Sequence, residues 1–259
     1  MRDWNYENEQ WTRLPAHLKH LPLFTRHFDL LSYVFRVAWA VFLKIAFTFW
    51  IRLQVKGDFD ALWKAHPRLL LISNHSSHLD AVSIAAAIPF KFWGDLYISA
   101  AKDYWFKNPL FTFFSKHCLG AIPIDRKDRS GEALRLCTSL LSGLDRIWMI
   151  LFPEGTRSKD GYIQPFKRGI SLFAEKTDTP ILFLYIEGNN ALMPKGRFMP
   201  LPGKLIVHVG AVHPPGPVQQ IYDDYRTWVT SINPAAYKSE PVETEPVEES
   251  APPTDEFLD

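Results

Sequence analysis

Apolar and polar positions divide the chain into three textures. From Phe28 to Leu53 it is strongly apolar and aromatic, and Arg36, Lys44 and Arg52 recur every eight residues with Ser32 and Thr48 between them. Positions spaced by four stay on one slowly drifting helix face, so the pattern predicts an amphipathic helix. Three placements are open to it. It can lie in the bilayer interface with Trp39 and Trp50 at headgroup level, or span the bilayer, since Tyr33 to Ile51 is long enough though it carries two charges; it can also be an ordinary buried helix.

After Gly57 short apolar runs alternate with helical stretches, which predicts an α/β domain. Strands are expected at Arg68 to Ser73, Asp95 to Ala101, Ala121 to Ile124, Ile147 to Phe152, Pro180 to Glu187 and Lys204 to Val212. Helices are expected at His78 to Ile88 (ended by Pro89), Ser130 to Asp145, Gly169 to Lys176 and Val218 to Ile232. From Asn233 the chain is rich in Pro and Glu, repeats Glu-Pro-Val and is poor in core formers, so it is expected to be disordered. The expected organisation is a helical membrane-associating segment over 1–56, one α/β domain over 57–232 and an acidic tail over 233–259.

Length and charge narrow the function classes. The 259 residues, 47% of them hydrophobic, suffice for one well-filled core. The formal charge of +1 conceals an asymmetry, because all eight charged residues after Lys238 are acidic and the preceding part is strongly basic. A basic body suits nucleic acid, acidic substrates or an anionic membrane surface, and only motifs choose among these. Cys118 and Cys137 are the two cysteines; without C-x-x-C spacing they point to a reducing compartment rather than to a disulfide framework or a thiolate zinc site. The polar, acidic start Met1-Arg2-Asp3-Trp4-Asn5-Tyr6-Glu7 is not that of a secretory signal.

Chemistry concentrates where strands are expected to end. Ser73-Asn74-His75-Ser76-Ser77-His78-Leu79-Asp80 follows a strand and opens a helix, at the edge where α/β sheets bind ligands. On one continuous helix His75 and Asp80 would point about 140° apart, so they meet only if His75 precedes the helix, with Ser77 as its N-cap. They then form a base and its orienter, the carboxylate fixing the imidazole tautomer while the other ring nitrogen takes a proton from an attacking hydroxyl. Two competing readings fit the same letters: a capping box in which Asp80 satisfies the first amides of the helix, and a metal site gathering His75, His78 and Asp80. Further on, Phe152-Pro153-Glu154-Gly155-Thr156-Arg157-Ser158 runs from a strand into a turn whose Thr156, Arg157 and Ser158 offer donors to an oxyanion, or simply form a solvated turn. Gly120 to Lys127 brings Arg126 to a strand end, where its guanidinium can grip a phosphate or can belong to an exposed basic loop.

Asn74-His75-x-x-x-x-Asp80, Gly120 to Arg126, Phe152-Pro153-Glu154-Gly155-Thr156-Arg157 and Pro180 with its apolar strand together resemble, in order, the four blocks of the glycerolipid acyltransferases, most closely the lysophosphatidate branch. The resemblance runs from about Gly57 to Val212. It implies a glycerol-3-phosphate acyltransferase-like sheet flanked by helices, and an N-terminal helical segment dipping into one leaflet at the cytoplasmic face of an inner or plasma membrane. It further implies transfer of an acyl group from a thioester, carried by coenzyme A or acyl carrier protein, to the free hydroxyl of a lysophospholipid, with no cofactor and no nucleic acid. His75 would be the general base, Asp80 its partner, and Arg126, Glu154, Gly155, Thr156 and Arg157 the glycerol-phosphate site. Lys102, after the strand Leu96 to Ala101, or backbone amides would stabilise the tetrahedral oxyanion. Two departures bear on the acceptor: Ser76-Ser77-His78 replaces the commoner spacer of the first block, and Thr179-Pro180-Ile181-Leu182-Phe183 is a loose version of the fourth. A metallohydrolase would explain His75 and Asp80 without the basic turns, and a noncatalytic lipid-binding protein would explain the turns without that pair.

Overall fold

The computed structural model describes residues 30–106, 109–124, 131–194, 196–197 and 199–238. Seven strands form one sheet in the order β1-β7-β6-β2-β5-β3-β4, with β1 Ile51–Lys56, β2 Arg68–Ile72, β3 Leu96–Ala101, β4 Ala121–Ile124, β5 Ile147–Leu151, β6 Ile181–Glu187 and β7 Gly203–His213. Strands β6, β2, β5, β3 and β4 run parallel, while β7 is antiparallel to β6 and parallel to β1. Parallel strands covered on both faces read as continuous apolar runs, and Arg68-Leu69-Leu70-Leu71-Ile72 and Ile147-Trp148-Met149-Ile150-Leu151 are such runs.

The helices are α1 Leu30–Phe49, α2 Phe59–Ala65, α3 Leu79–Ala87, α4 Lys102–Trp105, α5 Pro109–Phe114, α6 Glu132–Gly143, α7 Gly169–Thr177, α8 Asn189–Leu192 and α9 Val218–Ile232. The period of two along each strand sorts the core into two layers. Leu70, Ile72, Met149 and Leu151 pack with Leu140 of α6, Ile170 of α7 and Tyr225 of α9. Leu69, Leu71, Trp148 and Ile150 pack with Leu43 and Phe47 of α1, Phe59 of α2 and Ile84 of α3. The result is a sheet flanked by helices on both faces.

Most expected strands and helices match to within one or two residues, and three features differ. The apolar run expected to continue as helix to Leu53 breaks at Trp50, and Ile51–Lys56 becomes strand β1, paired with β7. The expected polar strip is therefore divided. Lys44 and Thr48 face outward and Arg52 sits in the strand, while Arg36 turns inward, its Nη1 donating to the Trp93 carbonyl at 3.3 Å and its guanidinium lying over Gly120. The outward face of α1 instead presents Val34, Val41, Phe42, Ile45 and Phe49. Finally, residues 233–238 are not a loose start to the tail: Ala236 and Tyr237 are buried in the core, and Ile163 N–H donates to the Ala236 carbonyl at 3.0 Å. The rest of the expected acidic tail lies outside the described residues. Among the described residues, no helix is long and apolar enough to cross a membrane.

Candidate active site

Because β2, β5, β3 and β4 run parallel, the segments that follow them leave from one edge of the sheet. β2 ends at Ile72, and residues 73–76 belong to neither strand nor helix before α3 begins at Leu79, one residue later than a Ser77 N-cap would set it. His75 thus precedes the helix and Asp80 lies in its first turn. His75 Nδ1 is 2.8 Å from Asp80 Oδ2.

Asp80 is fully buried, and both its oxygens are engaged. Oδ2 also accepts from the backbone N–H groups of Ser76 (2.8 Å) and Ser77 (2.9 Å), and Oδ1 accepts from Asn189 Nδ2 at 2.7 Å. Ser77 Oγ accepts from Leu79 N–H at 3.0 Å and donates to the Met193 carbonyl at 2.7 Å. The capping and orienting readings of Asp80 are therefore one arrangement: the carboxylate that closes the helix start also faces the imidazole. Among the described residues no group of three or more His, Cys, Asp and Glu is placed to hold a metal ion.

The imidazole is held from three further directions. The ring stacks on Phe152 with centroids 4.1 Å apart and an 18° tilt, the His75 backbone carbonyl accepts from Ser158 N–H at 2.8 Å, and the His75 backbone N–H donates to Glu154 Oε1 at 2.7 Å. Glu154 Oε2 accepts from Gln164 N–H at 3.2 Å. With only 2% of Glu154 exposed, burial pushes its carboxyl up to about 8 despite these two amide bonds, and Asp80 and Asp160 push the same way. Glu154 is not among the described residues lining the cleft.

Two arms of a cleft meet at His75, Ser99, Ala100, Ala101 and Phe152. One, of about 300 Å³, carries His78, Thr156 and Arg157. There burial, then the Arg157 and His75 charges, lower the His78 imidazole to about 4, against the pull of Asp80, so it is a neutral hydrogen-bonding group at neutral pH. The other arm, of about 240 Å³, is walled by Ile124, Leu151, Ile170 and Phe173 and contains Lys167. Gly155, at φ 69°, takes a conformation that favours glycine, and a Cβ there would come within 2.8 Å of Lys167 Nζ. With Nδ1 on Asp80, Nε2 is the nitrogen His75 turns to this cleft.

The structure thus brings His75, Asp80, Gly155, Thr156 and Arg157 together and sets Glu154 beneath them. Lys102 opens α4 directly after β3 but is not among the described residues lining either arm, and Arg126 lies outside the described residues. Two residues escaped the sequence reading. Asn189 reaches Asp80 because Gly188, at φ 92° and too close to the Lys204 carbonyl for any Cβ, turns the chain at the end of β6; a Gly-Asn pair after a buried strand was its available signal. Lys167 arrives through a loop pinned by its own N–H to the Pro153 carbonyl at 2.8 Å, a contact without sequence periodicity.

Comparison with known proteins places the chain in a family. A family model described as Acyltransferase matches residues 55–187. The chain is 32% identical over 127 residues to a chloroplastic 1-acyl-sn-glycerol-3-phosphate acyltransferase of Brassica napus, covering 48% of this chain and 34% of that protein. It is 30% identical over 186 residues to a 1-acyl-sn-glycerol-3-phosphate acyltransferase of Chlamydomonas reinhardtii, covering 70% and 53%, and 30% identical over 144 residues to the human alpha enzyme of that name, covering 54% and 47%. The chain spans about a third to a half of the length of these curated relatives. The crystal structure of the 1-acyl-sn-glycerophosphate acyltransferase PlsC of Thermotoga maritima shares the fold, with a TM-score of 0.61, 24% identity and coverage of 83% of this chain and 86% of that one. With a family model matching just over half its length, across the strands and turns that build the site, the chain belongs to the acyltransferase family.

Proposed function

We propose that this protein transfers an acyl group from a thioester to the free hydroxyl of a lysophospholipid, 1-acylglycerol-3-phosphate in the first instance, giving phosphatidic acid. The observation that carries the reading is the imidazole of His75, bound through Nδ1 to Asp80 at the junction of a polar and an apolar arm. His75 Nε2 takes the proton of the acceptor hydroxyl as its oxygen attacks the thioester carbonyl carbon. The carbon–sulfur bond then breaks, and the thiolate leaves with that proton. No acyl-enzyme is required. Arg157 and Thr156 in the polar arm, with Arg126 joining them from the segment after β4, hold the acceptor phosphate, and the apolar arm suits an alkyl chain. In this reading Glu154 supports the His75 backbone rather than the ligand, and Lys167, over Gly155, is better placed than Lys102 for the developing oxyanion. The outward apolar face of α1 seats the protein in the interface at the cytoplasmic face of a membrane.

The test is a donor-by-acceptor matrix, pairing acyl-coenzyme A or acyl carrier protein thioester with lysophosphatidate, other lysophospholipids and monoacylglycerol, with the lipid product identified by mass. Phosphatidic acid as the main product is expected. Preference for an acceptor without a terminal phosphate would overturn the acceptor assignment, and failure of every pair would overturn the activity.

A further inference from the structure

Between α8 and β7 the chain makes an excursion, described at residues 193–194, 196–197 and 199–202, to which the acyl-transfer reading gives no task. Its base is fixed: Leu201 N–H donates to the Leu192 carbonyl at 2.9 Å, Trp50 Nε1 donates to the Pro200 carbonyl at 3.0 Å, and Gly203 N–H donates to the Trp50 carbonyl at 3.1 Å. These bonds seat the loop on the carboxyl end of α1, a hundred and fifty positions away in sequence. What it then presents to water is apolar. Met199 is 64% and Leu201 40% exposed, next to Phe49 at 82% and Trp50 at 51%. The loop is also shaped, since Arg197 Nε donates to the Met199 carbonyl at 3.0 Å.

Several large apolar side chains left together in water mark a contact surface. Charge selects the partner. Neither Leu30 to Lys56 nor Asn189 to His213 contains an Asp or Glu, while Lys44, Arg52, Lys56, Arg197 and Lys204 are all exposed. An apolar surface with an indole at its margin and Lys44, Arg52, Arg197 and Lys204 on the segments that carry it complements an anionic phospholipid surface, which takes the apolar groups below the headgroups and the cations at them.

We infer that Arg197, Met199 and Leu201 form with the carboxyl end of α1 one face that docks on anionic phospholipid; this rests on the membrane seat proposed for α1 and adds a second contact to it. The loop leaves from the support of the proposed catalytic pair. Asn189 holds Asp80 and the Met193 carbonyl holds Ser77, so the docked loop and His75–Asp80 share α8.

The experiment is co-sedimentation of the full chain with phosphatidylcholine vesicles, with or without phosphatidylglycerol, using three double variants of unchanged thermal stability. For the loop variant Met199→Ser with Leu201→Ser, the partition coefficient should fall about tenfold or more on both vesicle types. The variant Arg197→Gln with Lys204→Gln should lose affinity only for phosphatidylglycerol vesicles, and Phe42→Ser with Ile45→Ser tests α1 alone. If the parent binds and only the α1 variant is impaired, the loop inference is wrong and the α1 reading stands. If the parent ignores both vesicle types, the α1 reading fails and takes the inference with it. An unstable loop variant leaves the basic variant to decide: unchanged binding, or equal loss on both vesicle types, would overturn the inference.

Discussion

The two parts of the sheet differ in direction and in what their ends carry. The parallel group β6, β2, β5, β3 and β4 sends its following segments out of one edge, so His75, Phe152 with the Gly155–Arg157 turn, and Ala101 converge on one cleft although they are scattered through the sequence. The β1–β7 pair runs the other way and gathers apolar groups instead: Trp50 before β1 meets Pro200 before β7, beside Phe49, Met199 and Leu201. Because β7 runs antiparallel to β6, the starts of β1 and β7 lie at the same sheet edge as the ends of β2 and β6, and the contrast teaches that two reversed strands bring a contact surface to the edge that carries the chemistry, with α8 between them supporting both.

The sharpest break should come at the cleft. His75→Ala removes a half-buried side chain from a loop, so the fold should persist while turnover falls about 10²–10⁴-fold, the usual value of a general base. Circular dichroism beside a thiol-release assay checks both, and turnover near the parent's would remove His75 from the mechanism. Asp80→Asn should reduce turnover strongly and also stability, because an amide offers one acceptor oxygen where the carboxylate uses two, and a buried donor is left facing donors. The expected stability loss is about 1–3 kcal/mol in urea denaturation.

Arg157→Ala should weaken use of a phosphorylated acceptor by about 1.5–3 kcal/mol in kcat/KM and matter far less for monoacylglycerol, with Arg126→Ala behaving alike. Equal losses with both acceptors would assign these arginines to structure or to the donor. A smaller effect concerns pH. Glu154 is raised from 4.5 to about 8 in the folded chain, so the fold binds a proton that the unfolded chain has released, and this contribution is present at low pH and lost as pH rises toward about 8. His78, lowered from 6.5 to about 4, acts oppositely below 6.5. Between pH 6.5 and 8 the Glu154 contribution alone of the two should decline, and Glu154→Gln should flatten that slope in unfolding titrations; an unchanged slope would show that Glu154 is ionised in the fold.

Much of the parallel region was legible in the sequence, because strands buried on both faces leave unbroken apolar runs and the polar segments after them stand out. Ser73 to Asp80 even carried its geometry, since a separation of five forbids contact on one helix. Of the reversed pair, β7 was legible as the strand expected at Lys204 to Val212, and β1 was not. Ile51–Lys56 continues the apolar texture of α1, and nothing local marks the change from a period of 3.6 to one of 2, which depends on pairing with β7 far along the chain. Arg36 likewise reads as part of a polar face until Gly120 and the Trp93 carbonyl are in place to receive it. Within a motif, the sequence gives the type and position of Glu154, and only the fold shows that its oxygens accept from the backbone amides of His75 and Gln164.

The central claim is that His75 and Asp80 act as one catalytic unit at the sheet edge. A double-mutant cycle on kcat/KM with His75→Ala, Asp80→Asn and the combined variant, using acyl thioester and lysophosphatidate, tests it directly. If Asp80 works through the imidazole, the double variant should be no worse than His75→Ala alone. Multiplicative losses would show that Asp80 acts independently, as a helix cap without a part in the chemistry, and would contradict the account.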